Sequence, residues 1–357
     1  MNINIRLLNF SELKSANRVY NDAYGNIRPD DFFQWEFVNG PSGKAIYVIA
    51  EDLDKTENRI IGTQCAIPIE FIDDNGSVIL TAKSEDTFVH PDYRGQKLFE
   101  RMYDLLFEEC KKSGIAFIWG FTYARKPFLK LGFEIPFETL QGICVKNPFR
   151  TFKYLSTLNQ ANKLIDRLKI FGFTHLAWLF SFKRFSFNTI LLNCRHENIV
   201  PDKLGLIKRI LDLTDLSLSI KQDERYQDWR INQNPYSNNY IEYTEDLKYC
   251  LTANLRPEGF VYIEEILINP NLSWSEKVRL IKAFTNKLFY KNNNFCVRFW
   301  GFDTNSYNKI EIKLLKKAGF VFIKKGTAFV WKDLGIYSDK IDAFNLLLSR
   351  IYTQGNR

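Results

Sequence analysis

The chain has 357 residues, 45% of them hydrophobic and 25% charged, the balance of a soluble globular protein long enough for two domains with substantial cores. Its 31 phenylalanines against two methionines point to interiors in which rings pack on rings and on aliphatic side chains. Three histidines and six scattered cysteines without a CxxC pair exclude a metal cluster of recognisable ligand spacing, so the expectation is reduced thiols and no metal.

The opening Met1-Asn2-Ile3-Asn4-Ile5-Arg6 alternates as a first strand and lacks the basic and apolar runs of a signal peptide, which predicts a cytoplasmic protein. Ser11 is placed to cap a helix carrying Leu13, Ala16, Val19 and Tyr20, and Pro29-Asp30-Asp31 opens a second, short helix with Phe32, Phe33 and Trp35. Strands follow over 45–50 and 60–71, and Asp74-Asn75-Gly76 turns the chain into a third strand, 78–89. A helix from Leu98 to Cys110 carries Met102, Leu105 and Leu106 on one face; a buried strand over 115–121 and a short helix over 125–131 lead to Gly132-Phe133.

Residues 146–209 differ in character. Twelve Lys/Arg stand there against Asp166, Glu197 and Asp202, a surplus of nine that leaves the rest of the chain near neutral. The stretch is aromatic and predicted mainly helical. Its apolar run, 170–182, would span ~20 Å as a helix, short of a hydrocarbon core of ~30 Å.

From about Tyr226 to Leu334 the sequence repeats the first third in skeleton. Trp35 stands six residues before Pro41, and Trp229 six before Pro235. Glu85-Asp86 precedes Val89-His90-Pro91 as Glu264-Glu265 precedes Ile268-Asn269-Pro270. Trp119-Gly120-Phe121 is matched by Trp300-Gly301-Phe302, and Gly132-Phe133 by Gly319-Phe320. Four landmarks in one order indicate an internal duplication. The organisation expected is therefore 1–145, a basic helical connector over 146–210, and a diverged copy over 211–357.

The segment that carries chemistry is Glu85-Asp86-Thr87-Phe88-Val89-His90-Pro91-Asp92-Tyr93-Arg94-Gly95-Gln96-Lys97-Leu98-Phe99. A strand, a turn and an Arg-Gly loop running straight into a helix aim backbone N–H groups and a helix N-terminus at one spot, a way to hold a pyrophosphate without metal. The segment resembles the acyl-CoA-binding motif of the GNAT superfamily of acetyltransferases, V-x-P-x-x-R/Q-x-x-G-x-G/A. Val89, Pro91, Arg94 and Gly95 fit it; Lys97 replaces a glycine of the family, and Phe99 replaces a small residue. Trp119-Gly120-Phe121-Thr122 and the stretch from Phe128 to Phe133 resemble that family's fifth strand, fourth helix and closing Gly-Phe.

The resemblance implies an α/β (α+β) fold of two tandem GNAT-like mixed sheets flanked by helices, and N-acyl transfer from acetyl-CoA or another acyl-CoA to a primary amine. By it, Thr87, Phe88, Val89, Arg94, Gly95, Gln96, Lys97, Leu98, Phe99 and Phe128 line the cofactor. Phe128 stands where many members carry a tyrosine acid, which leaves Tyr123 as the nearest substitute. Asp86 and Glu85 are the candidate bases; they point to opposite faces of their strand, so that one of them at most reaches the acceptor, and Asp86, directly or through water, is preferred. The second copy has no Arg-Gly and places Glu276 at its helix start, so it is expected not to bind CoA.

The helix around Trp35 resembles that of acetyltransferases of bacterial surface-polysaccharide synthesis, which points to an amino sugar as acceptor. The basic stretch 146–209 suits a linker of solvated helices, an anionic membrane surface or an anionic acceptor; nucleic acid ranks last because no RNA or DNA motif accompanies the charge. Two other readings stay open: a tandem aminoacyl transferase using charged tRNA, and a degenerate GNAT-fold protein that binds a ligand or a membrane.

Overall fold

The computed structural model describes residues 2–25, 28–57, 59–184, 194–323, 326–337 and 341–352. The first part of the chain forms β1 (Ile3–Leu7), α1 (Leu13–Tyr24), α2 (Asp30–Phe37), β2 (Ile46–Asp52), β3 (Ile60–Asp73), β4 (Val78–Val89), α3 (Leu98–Lys112), β5 (Phe117–Thr122), α4 (Arg125–Lys130) and β6 (Leu140–Val145). The basic stretch contributes α5 (Pro148–Leu158), α6 (Leu164–Ser181) and α7 (Lys203–Asp212), and its residues 185–193 lie outside the described ones. Then come β7 (Leu218–Ile220), α8 (Glu224–Gln227), β8 (Asn239–Tyr243), β9 (Tyr249–Leu255), β10 (Phe260–Ile268), α9 (Trp274–Tyr290), β11 (Cys296–Gly301), α10 (Ser306–Lys317), β12 (Val321–Ile323) and β13 (Ala328–Asp333).

The elements expected from periodicity are present, with one local difference. Ser11 does not cap α1; Asn9 caps a 3-10 turn, Phe10–Glu12, that leads into it. The Asn9 side chain accepts from the Ser11 amide while Glu12 reaches back to the Asn9 amide, which satisfies donors at both ends of the turn.

The fold is mixed α/β with two mixed sheets flanked by helices, and contacts group the chain into two compact units. The first holds Met1–Phe137, Leu218–Pro235 and Thr327–Ala343; the second holds Glu138–Ser217, Tyr236–Gly326 and Phe344–Arg357. These units differ from the expected divisions 1–145, 146–210 and 211–357: the second takes in Glu138–Ser217, and the first takes in Leu218–Pro235 and Thr327–Ala343.

In the first unit the strand order is β1-β2-β3-β4-β5-β13, with β7 pairing the far end of β3. All neighbours are antiparallel except β4 and β5, which run parallel. The helix α3 covers one face, where Met102, Leu106 and Cys110 pack with Val48, Ile61 and Ile118. Trp35 and Trp229, the matching landmarks of the repeat, meet here: their rings stack at 5.0 Å and each indole N–H donates to the other's backbone carbonyl, at 2.9 and 3.1 Å. Both rings are buried with their polar atoms satisfied, and such an aromatic pair contributes about 0.5–1.5 kcal/mol beyond its buried area.

The second unit repeats the plan with strand order β12-β6-β11-β10-β9-β8, again with one parallel pair, β10 and β11. Each sheet takes in a strand distant in sequence from its neighbour: β13 lies beside β5, and β6 lies beside β11. The α9 and α10 residues Ile281, Phe284, Leu288, Leu314 and Leu315 pack on Leu251, Val261 and Ile263 of this sheet.

Candidate active site

In the first unit the parallel ladder between β4 and β5 covers only Thr81–Lys83 against Phe117–Trp119. Beyond it the strands part, and the segment 84–89 of β4 runs on while β5 stays paired with β13 through Thr122. The parting coincides with a bulge in β4, where the register with β3 shifts between Thr63 and Cys65 and Asp86 adopts a left-handed conformation, φ 53°.

Side chains fix that bulge. The Asp86 carboxylate, almost wholly buried, receives Arg28 through two bonds, Nη1 to Oδ1 at 3.0 Å and Nη2 to Oδ2 at 3.1 Å, and Tyr47 donates to Oδ2 at 2.5 Å. Arg28 also donates Nε to Asn17 Oδ1 at 2.8 Å and lies over the Tyr20 ring. Gln64 bridges the bulge by donating to Ser84 Oγ and accepting from Thr87 Oγ1, and the Tyr103 hydroxyl stands 2.7 Å from Ser84 Oγ. Burial pushes the Tyr47 phenol well above its ordinary range, and Asp86 pushes it the same way.

The two candidate bases therefore sit in different surroundings. Asp86 faces inward, into a bidentate pair with Arg28. Glu85 is about one-third exposed and pairs with the buried Lys83 ammonium. Close by is a carboxyl that sequence reasoning missed: Glu36 of α2, fully buried, whose pKa is pushed up to about 8 by burial and by Glu85, with Arg28 pulling it down. Arg28, Tyr47, Lys83 and Glu36 had no sequence signal, since each is a single polar residue inside an otherwise ordinary helix, strand or loop.

At the end of β4, Pro91–Tyr93 makes a 3-10 turn and the chain enters α3 through Gly95, φ 84°, and Lys97, φ 57°. Lys97 thus takes the left-handed conformation that explains the family's preference for glycine there, at a cost of ~1 kcal/mol for a side-chain-bearing residue. No side chain caps α3. Its first intrahelical bond is Arg101 N–H to Lys97 O, 3.0 Å, so the amides of Leu98, Phe99 and Glu100 precede the ladder and point out of the helix end. Arg94, Gly95, Gln96 and Lys97 are exposed around this end, while Leu98 is buried. A cleft of about 480 Å³ opens beside it between α1 and the end of β4, with Tyr24, Lys55, Phe88, His90 and Arg94 in its wall.

The other predicted positions separate into packing and surface. Phe99 packs on Tyr103 and Phe128, and Phe128 is buried against Tyr103 and Phe133. Thr87 and Val89 lie on the freed part of β4, where the Thr87 carbonyl accepts from Tyr24 at 3.5 Å and the Val89 carbonyl from Arg94 Nε at 3.4 Å. Tyr123 is 80% exposed just past β5 and is not drawn into the cluster around Asp86.

An uncapped helix end flanked by cationic side chains, next to a strand whose ladder is open, can hold an extended phosphorylated thioester along β4. Residues 4–135 match the domain model of the GNAT acetyltransferases. No curated protein matches the chain. Solved structures share the fold: a probable N-acyltransferase from Enterococcus faecalis V583 (11% identity, TM-score 0.62, 94% of this chain and 74% of that one), and a GCN5-related N-acetyltransferase from Kribbella flavida (9%, 0.59, 93% and 72%). A GCN5-related N-acetyltransferase from Anabaena variabilis ATCC 29413 is similar as well (8%, 0.58, 94% and 74%). At such identities the likeness establishes the fold, and the domain match supplies the class of chemistry. Residues 4–135 thus form a domain that matches the acyl-CoA-dependent GNAT acetyltransferases.

Proposed function

We propose that the protein transfers an acetyl group from acetyl-CoA to the primary amine of a small molecule, an amino sugar being the acceptor to try first. The observation that carries this reading is the open end of α3 with Arg94 and Lys97 exposed beside it, joined to the bulged, unladdered stretch of β4. Arg94 and the amides from Gln96 to Phe99 would hold the pyrophosphate, and the backbone of Thr87 and Val89 the pantetheine arm. The thioester supplies the activated acyl group. Glu85, in place of the Asp86 preferred from sequence, would take the acceptor's proton directly or through water, a role supported by its access to solvent, while the buried Asp86 shapes the bulge through Arg28. The leaving thiolate has a pKa not far above neutral, so solvent can protonate it.

Calorimetry with acetyl-CoA tests the reading. Arg94→Glu is expected to weaken binding about 30- to 100-fold, the equivalent of one charge-assisted bond and its reversal, roughly 2–3 kcal/mol. No binding at millimolar acetyl-CoA, or an affinity unchanged by Arg94→Glu, would overturn it.

A second observation favours a peripheral membrane contact for the same protein. Leu164, Ile165, Leu168, Leu176 and Leu179 on α6 are each at least half exposed, and Lys163, Arg167, Lys169 and Lys183 flank them. No helix among the described residues is long and apolar enough to cross a membrane, so this surface suits a position in the interface, with basic residues beside anionic headgroups. Sedimentation with vesicles containing phosphatidylglycerol, and not with neutral ones, is the expected outcome; equal recovery with both removes this reading.

A further inference from the structure

The second unit contains a group of side chains that the acyl-transfer reading does not use. Arg195 forms an antiparallel bridge with Tyr243 of β8, its amide donating to the Tyr243 carbonyl at 2.8 Å and its carbonyl accepting in return at 3.3 Å. In that register His196 stands opposite Glu242, and Cys194, two residues back, shares its face. The Cys194 thiol, one ring nitrogen of His196 and a Glu242 oxygen accordingly lie within 4.8 Å of one another.

The donor orientations are those of a metal site. His196 Nδ1 lies 3.0 Å from the Ile241 carbonyl, the partner that fixes the proton on Nδ1 and leaves the Nε2 lone pair as ligand. That Nε2 is 3.6 Å from Cys194 Sγ; tetrahedral zinc, with Zn–S of about 2.3 Å and Zn–N of about 2.0–2.1 Å, sets the S to N edge at about 3.5 Å. Glu242 is buried and oriented by Tyr240 and Tyr249, each donating at 3.1 Å. The space among the three ligands already attracts a cation: Lys287 Nζ lies 2.8 Å from Glu242 Oε2 and 3.6 Å from Cys194 Sγ. The Lys287 side chain is about one-third exposed and can swing to solvent.

We propose that Cys194, His196 and Glu242 form a binding site for zinc or a zinc-like divalent ion, which exchanges with the Lys287 ammonium. Binding forms three bonds to the ion, with water completing the tetrahedron. The thiol gives up its proton to solvent and the ammonium leaves the Glu242 carboxylate. One thiolate, one carboxylate and one neutral imidazole balance the two charges of the ion, and the mixed S, N, O donor set suits zinc over magnesium or calcium. The ligands lie 48 positions apart at their widest and only two of them share a short motif, so the sequence carries no recognisable spacing.

Cobalt(II) added to the full-length protein tests the site by spectroscopy, independently of any acyl transfer. A thiolate-to-cobalt absorption band saturating at one equivalent is expected, lost in Cys194→Ser and weakened at least tenfold in His196→Ala. The other five cysteines are buried, so zinc is also expected to protect the protein from alkylation by iodoacetamide. Lys287→Met, which removes the competing ammonium, is expected to tighten zinc binding about tenfold and to make the thermal midpoint strongly zinc-dependent. Absence of the band, or its persistence in Cys194→Ser, overturns the site; zinc affinity unchanged or weakened in a folded Lys287→Met protein overturns the exchange.

Discussion

The two repeats close the same two places in opposite ways. At the start of α3 the helix has no side-chain cap, and a left-handed Lys97 and an exposed Arg94 surround its free amides. At the start of α9 the corresponding end is sealed: Ser273 accepts from the Glu276 amide, and the Glu276 carboxylate takes the Ser273 amide at 2.9 Å, a complete capping box. A carboxylate at that point would repel the phosphates that the α3 end is proposed to hold. The strand openings differ likewise. In the second repeat β10 parts from β11 after Ile263–Phe299, and the Tyr307 hydroxyl from α10 fills the gap, accepting from the Ile268 amide at 2.9 Å and donating to the Ile266 carbonyl at 3.2 Å. One tyrosine thus takes ladder positions whose counterparts on β4 are proposed to bind the pantetheine arm. On the proposed reading the skeleton alone does not make a thioester site; what matters is whether the helix end lacks a cap and the parted strand lacks a plug.

Breaking the first repeat's bulge gives the largest effect. Arg28→Met strands the buried Asp86 carboxylate, and losing one partner of such a pair costs about 3–5 kcal/mol. A clear fall in the denaturant midpoint is expected, together with a loss of acyl transfer greater than any change in acetyl-CoA affinity, because the bulge aims β4 while the phosphate loop is untouched. A midpoint within error of the parent would mean the pair does not hold the bulge. Tyr307→Phe comes next. It leaves a buried amide and carbonyl of β10 without their partner, at about 1–3 kcal/mol, and acetyl-CoA affinity should stay that of the parent because the first repeat alone carries the phosphate loop. Binding of a second equivalent of acetyl-CoA by Tyr307→Phe would show the plug to be all that closes the second repeat.

Much of this contrast was written in short-range pattern. The meander, the Asp74-Asn75-Gly76 turn, the loop of residues 89–99 and the paired tryptophans each depend on residues close in sequence or on a repeated landmark, and these were legible. What was not legible depends on distance. Arg28 finds Asp86 across 58 residues, and nothing in the loop around Pro29 marks it as the partner of a strand far downstream. The strands β6 and β13 are short, nearly continuously buried runs, and such a run does not name the sheet it joins. Tyr307 looks like any aromatic on the inner face of an amphipathic helix, and only the parted strands beneath it give its hydroxyl two backbone partners.

The smallest effects sharpen the comparison at the helix ends, where the two repeats can be exchanged residue for residue. Lys97→Gly removes the left-handed strain and should stabilise the protein by ~1 kcal/mol, with acetyl-CoA binding altered less than in Arg94→Glu, since the amides keep their direction and one exposed charge is lost. Ser273→Ala removes the α9 cap and should destabilise by a similar ~1 kcal/mol without touching acetyl-CoA binding. The two changes therefore move the thermal midpoint in opposite directions at near-constant cofactor affinity. If Lys97→Gly instead destabilises the protein, Lys97 holds the loop by contacts of its side chain, and the glycine of the family pattern has been replaced by an interaction in place of conformational freedom.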